Sequence, residues 1–141
     1  MLKVENLSKS FGSYKALDNM NFTIEDGKIL GLIGQNGAGK TTTFRLILDF
    51  LSKDSGSVLW DGHELSGNDY NIIGYLPEER GLYPKVTIEN QLLFFASLRG
   101  KSKQEIASKI DEWMEKFQVK GKKTDKVKSL SKGNQQKVQL I

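Results

Sequence analysis

Gly34-Gln35-Asn36-Gly37-Ala38-Gly39-Lys40-Thr41 matches the pattern G-x-x-x-x-G-K-[ST] at every position. Glycines in such a segment let the backbone turn tightly enough for successive N–H groups to converge on phosphate oxygens. The Lys40 ammonium is a point charge able to reach β- and γ-phosphates, and the Thr41 hydroxyl is a ligand for Mg2+. Thr42 offers a further hydroxyl to the α-phosphate. Upstream, Ile29-Leu30-Gly31-Leu32-Ile33 is a continuous apolar run, short enough for a strand buried on both faces. Downstream, Phe44, Ile47, Leu48 and Leu51 recur at i, i+3, i+4 and i+7, which marks one face of a helix. A glycine loop between a buried strand and a helix is the setting in which this pattern holds a triphosphate, because the helix N-terminus adds its positive dipole end. The expected fold class is α/β.

Working outward, Val4, Leu7 and Phe22-Thr23-Ile24 read as short half-buried strands, with a turn at Glu25–Lys28. Ser57–Trp60 and Glu64–Ser66 flank Asp61-Gly62, a hairpin signal. Ile72–Leu76 reads as another strand, ended by Pro77. From Thr87 onward the pattern turns helical. Ser102 followed by Glu105 predicts a capping box, and Ile106, Ile110, Trp113, Met114 and Phe117 form an apolar stripe expected to face a core. A last helix is expected to begin near Ser131. His63, the single histidine, reads as an exposed turn residue rather than a catalytic one.

A composition of 38% hydrophobic and 27% charged residues is that of a globular domain. No run approaches the ~18 consecutive apolar residues that a membrane-spanning helix needs, and Met1–Gly12 lacks a signal-peptide stretch. These features, with zero cysteines, set a cytosolic protein as the default. Charge is uneven: residues 1–98 carry 9 basic and 12 acidic side chains, whereas residues 99–137 carry 12 basic and 5 acidic. The second stretch, at net +7, reads first as a solvated helix face; nucleic acid or an anionic membrane surface are the alternatives. Without the interleaved aromatics of a base-stacking platform, nucleic acid is the weaker of the two.

The loop alone is shared by ATPases, GTPases and kinases, and the Asn-Lys-x-Asp segment with which GTPases read guanine does not occur. Four anchors in order narrow the choice: Phe11-Gly12, the loop, Gly74-Tyr75-Leu76-Pro77-Glu78, and Leu130-Ser131-Lys132-Gly133-Asn134-Gln135-Gln136-Lys137. With these, all 141 residues resemble the ATP-binding subunit of ABC transporters. The resemblance implies a partial P-loop nucleotide-hydrolase core with an antiparallel β subdomain and an α-helical subdomain, and ATP and Mg2+ as cofactors. Phe11 occupies the position of the aromatic that stacks on adenine, with Tyr14 in reserve. Glu78 stands where the family usually has the glutamine that touches Mg2+ and the attacking water; a carboxylate preserves metal contact but adds charge. Leu130–Asn134 aligns with the signature Leu-Ser-Gly-Gly-Gln, whose serine caps a helix aimed at the γ-phosphate held by the opposite subunit. Lys132 and Asn134 in place of Gly and Gln look like the variants found in multidrug, antibiotic and sodium exporters.

The family hydrolyses ATP with an Asp-Glu pair after four hydrophobic residues and a later switch histidine, all beyond the signature helix. Neither Leu46-Ile47-Leu48-Asp49 nor Val58-Leu59-Trp60-Asp61 qualifies, since both lack the Glu. The expectation is a chain that stops within the signature helix, carries no catalytic residues, and lacks parallel strands beside Ile29–Ile33. That surface would then be covered by contacts or leave the chain marginally stable. The expected organisation is residues 1–85 as the core part and 86–141 as the truncated helical subdomain. The implied partners are a membrane permease and a second ATPase subunit that sandwiches nucleotide symmetrically, at the cytoplasmic face of the membrane. A soluble ABC ATPase acting on ribosomes or DNA, and a non-catalytic nucleotide-binding module, are the other readings.

Overall fold

The computed structural model describes residues 1–67, 69–79 and 81–141. They form two compact units, Met1–Gly74 and Tyr75–Ile141.

The first unit is built on an antiparallel sheet of β1 (Leu2–Phe11), β2 (Tyr14–Ile24), β3 (Ser55–Trp60) and β4 (His63–Glu64), in the order β2-β1-β3-β4. Strict alternation would send Val4 and Leu7 to opposite faces of β1. A register shift between them, at Asn6 with φ 50°, turns both into the core beside Leu17, Val58 and Leu46. The Asn6 N–H, freed from the ladder, donates to Asn21 Oδ1 at 2.8 Å. The β3–β4 hairpin turns at Asp61-Gly62, both at positive φ, as a two-residue turn matching the strand twist requires. One helix, α1 (Lys40–Ile47), completes the unit.

Two expectations fail here. Residues 29–33 form no strand: Ile29 and Ile33 are 100% and 95% exposed. A strand of this kind needs ladder partners at its edges and cover on its faces, and the described residues supply neither. Ile72–Leu76 is likewise not a strand; a 3-10 turn at Asp69–Asn71 precedes it, and Ile72 and Leu76 are exposed. The stripe read after the loop holds in part: Leu48 is buried and Ile47 and Leu51 pack against the sheet core, whereas Phe44 is exposed and Thr43 and Leu46 are buried on α1 as well. The hairpin was legible, although β4 is shorter than expected. His63 is exposed as expected but lies in β4, with Nε2 3.2 Å from Asp69 Oδ1.

The second unit contains α2 (Ile88–Leu98), α3 (Lys103–Lys116) and α4 (Lys132–Leu140), packed around Ile88, Leu92, Ile110, Met114, Val127, Leu130 and Val138. Each helix begins on a hydroxyl N-cap: Thr87, Ser102 and Ser131 accept from Asn90, Glu105 and Asn134 N–H respectively. The capping box is half formed, because the Glu105 carboxylate faces Lys109 instead of turning back. Of the α3 stripe, Ile110 and Met114 enter the core, while Trp113 stays on the surface and stacks on Phe117 at 5.7 Å. The second unit begins at Tyr75, whereas the sequence reading set the boundary after residue 85. Leu82 lies against the helical core, and the Tyr83 N–H donates to Oε1 of buried Gln91. Among the described residues no helix is long and apolar enough to cross a membrane.

Candidate functional site

The phosphate-loop pattern folds as a tight loop running directly into α1. Gly37 and Gly39 lie at φ 84° and 85°, a region that costs a side-chain-bearing residue energy. The two glycines differ in surroundings. A Cβ on Gly37 would meet nothing within 4 Å, whereas one on Gly39 would sit 2.6 Å from Ala16 O and 2.9 Å from Leu17 Cδ2. The loop therefore closes against the backbone of β2 at Gly39 and is open at Gly37. Below it, buried Thr43 secures the join, with both its N–H and its hydroxyl donating to Gly39 O at 2.8 and 2.9 Å.

Lys40 is oriented by its own loop. Its Nζ donates to Gly34 O and Gln35 O, each at 2.6 Å. An ammonium has three donors, so one remains for an anion after the two carbonyls have positioned it. The Ala38 N–H closes the turn by donating to Gln35 O at 3.1 Å. α1 has no side-chain N-cap and no acidic residue in its first turn. The first N–H groups of a helix have no intrahelical acceptors, and an uncapped N-terminus presents them with the positive dipole end to an anion. Thr41 is exposed and Thr42 half-buried on this first turn. This donor set suits a polyphosphate: clustered N–H groups, one oriented ammonium, and hydroxyls at the helix start.

Two aromatics lie at the β1–β2 turn. Phe11 ends β1 and is the Cα partner of Tyr14 across the hairpin. Phe11 is 49% exposed, so its ring is not a core residue, and Lys9 Nζ lies 5.8 Å from its centroid. The Tyr14 hydroxyl donates to Gly37 O at 2.7 Å. The sequence reading missed this bond and the seat provided by Ala16 and Leu17, since β2 carries no motif.

In the second unit, Ser131, Lys132, Gly133 and Asn134 start α4. The Asn134 Nδ2 donates to Ser131 Oγ at 3.1 Å while its Oδ1 accepts from Lys120 N–H at 2.9 Å. The substituted Asn thus ties the cap to the preceding loop. Gln135 Nε2 donates to Val127 O and Leu130 O, fixing the approach to the cap. Lys132 and Gly133 remain exposed. Glu78 is exposed in the segment before α2. Among the described residues no cluster of three or more His, Asp or Glu side chains is arranged to hold a metal.

Residues 17–141 match the ABC transporter family. The uncharacterized ABC transporter ATP-binding protein YhaQ of Bacillus subtilis is 48% identical over 141 residues, which is all of this chain and 47% of that protein. An uncharacterized ABC transporter ATP-binding protein of Methanocaldococcus jannaschii is 49% identical over 140 residues, 99% of this chain and 50% of that one. The chain thus spans about half the length of these curated relatives. Among solved structures, an ATP-binding subunit of an ABC transporter superposes with a TM-score of 0.82 at 29% identity, over 99% of this chain and 60% of that one. A putative ABC transporter ATP-binding protein from Pyrococcus furiosus gives 0.79 at 30% identity, over 99% and 67%. A glycine loop seated on β2, a lysine aimed by two loop carbonyls, and these matches lead to one conclusion: the chain belongs to the ABC transporter family, with the α/β fold of its ATP-binding subunits.

Proposed function

We propose that this chain is the nucleotide-binding part of an ABC-type ATPase that powers a membrane exporter. The observation that carries the reading is the Lys40 arrangement, in which two donors are held by Gly34 O and Gln35 O and the third is left over beside an uncapped helix N-terminus. In this reading residues 34–42 cradle the triphosphate, Thr41 ligates Mg2+ and Phe11 stacks on adenine. Glu78 is the sequence-based candidate for a further metal ligand. Mg2+ would neutralise charge between the β- and γ-phosphates. Ser131, Lys132, Gly133 and Asn134 would address the γ-phosphate of a nucleotide held by a second copy of the subunit, through the N-terminus of α4. A separate permease would couple the pair to export at the cytoplasmic face of the membrane. Lys132 and Asn134, as exporter-type variants, support the direction.

The test is the thermal shift of this chain with Mg-ATP and with Mg-GTP, beside Lys40→Ala. Ligand at ~100 times its dissociation constant adds about 2.7 kcal/mol if it binds only the folded state. An ATP-preferring shift that disappears in Lys40→Ala supports the reading. No shift with either nucleotide sinks it for this chain.

A further inference from the structure

We propose that Tyr14 is a positioning residue for the phosphate loop: its hydroxyl, not its ring, is the functional group, and it braces the Gly37 carbonyl so that the loop is preset for a polyphosphate. This rests on residues 34–42 being the nucleotide site.

Among the described residues, contacts hold the loop at its end, at its start and between them. At its end, Gly39 is wedged on Ala16 O and fixed from below by Thr43. At its start, Gly34 O and Gln35 O are held by Lys40. Between them lies Gly37, at φ 84° with open space around its Cβ position, so packing does nothing to hold it. Among the described residues, the hydrogen bond that reaches this peptide from outside the loop is that of the Tyr14 hydroxyl, at 2.7 Å. In a trans peptide the carbonyl and the following N–H point in opposite directions. Anchoring Gly37 O toward Tyr14 therefore turns the Ala38 N–H the other way, into the loop, where it meets Gln35 O. That same carbonyl accepts from Lys40 Nζ. The brace is thus linked through one peptide and one shared acceptor to the orientation of the lysine. Since Tyr14 leaves β2 opposite Phe11, the hairpin that presents Phe11 also carries the brace.

A stacking role and a bracing role differ in what they need. Stacking needs the Tyr14 ring and a base; bracing needs the hydroxyl and no base. Tyr14→Phe keeps the ring and removes the hydroxyl at a site that is already 56% exposed, so folding is not at stake. The probes are Mg-ATP and Mg-tripolyphosphate, which has no base, titrated against wild type, Tyr14→Phe and Lys40→Ala, with urea midpoints of the ligand-free proteins measured alongside. The expected result is a loss of about threefold to tenfold in affinity for both probes in Tyr14→Phe, the size of one hydrogen bond, with an unchanged urea midpoint. Wild-type affinity for both probes in Tyr14→Phe, while Lys40→Ala loses them, overturns the brace and leaves the nucleotide site standing. A loss for Mg-ATP alone also overturns it, since that result assigns Tyr14 to the base. Absence of binding in wild type overturns both the site and the brace.

Discussion

Gly37 and Gly39 share nearly the same backbone angle but not the same surroundings, and replacing each by alanine separates conformational strain from crowding. At Gly37 the added methyl meets nothing within 4 Å, so the cost is that of holding an L-residue at φ 84°, about 1–2 kcal/mol. At Gly39 that cost recurs, and the methyl also lands 2.6 Å from Ala16 O, a backbone atom of β2 that cannot rotate away. The Leu17 side chain, 2.9 Å off, can move aside only by disturbing the sheet core. Overpacking of this kind adds about 1–3 kcal/mol. Gly39→Ala should therefore be less stable than Gly37→Ala by about 2 kcal/mol. In urea, with a slope of ~2 kcal/mol/M, this separates the two midpoints by about 1 M. Equal midpoints would refute the claim that the loop is seated on β2, because the difference comes from that contact alone.

Leu7→Ala should cost about 2–5 kcal/mol in urea unfolding, since Leu7 is fully buried among Val4, Leu17 and Val58; a loss below 1 kcal/mol would contradict the inward turn at Asn6. Ser131→Ala should lower stability by about 0.5–2 kcal/mol through loss of the α4 cap, measured by thermal melting of the helical signal, and Ser131→Thr should restore most of it. Stability should also decline in acid. Asp54 is held below its ordinary pKa by Lys9 and the Ser10 N–H, and Asp69 by the Ser66 N–H and then His63. Carboxyls lowered in the folded state contribute stability that is complete above the unfolded value of about 3.9 and is lost as pH falls through the lower folded values. The melting temperature of Asp54→Asn should accordingly vary less between pH 5 and pH 2 than that of wild type; a parallel decline would show the pairing to be without consequence.

The local features were legible because they depend on neighbours in sequence. The loop pattern needs only its own glycines, lysine and threonine; the Asp61-Gly62 turn needs only residues tolerant of positive φ; Ser102 and Ser131 act on N–H groups three positions away. Features that depend on partners distant in sequence were not. The apolar run Ile29–Ile33 has the composition of a buried strand, yet composition cannot supply the neighbours that a ladder requires, and the run lies exposed. The helical spacing of Phe44, Ile47, Leu48 and Leu51 marked a stripe of which the last three do turn inward, but only the position of the sheet decided that Thr43 and Leu46 would be buried too and Phe44 left exposed. What the sequence determined alone was the chemistry of the loop and its place before a helix. The tertiary structure decided how that loop is held: Gly39 against Ala16 and Leu17, and Gly37 by Tyr14, contacts that exist only because the β1–β2 hairpin folds back beside the loop.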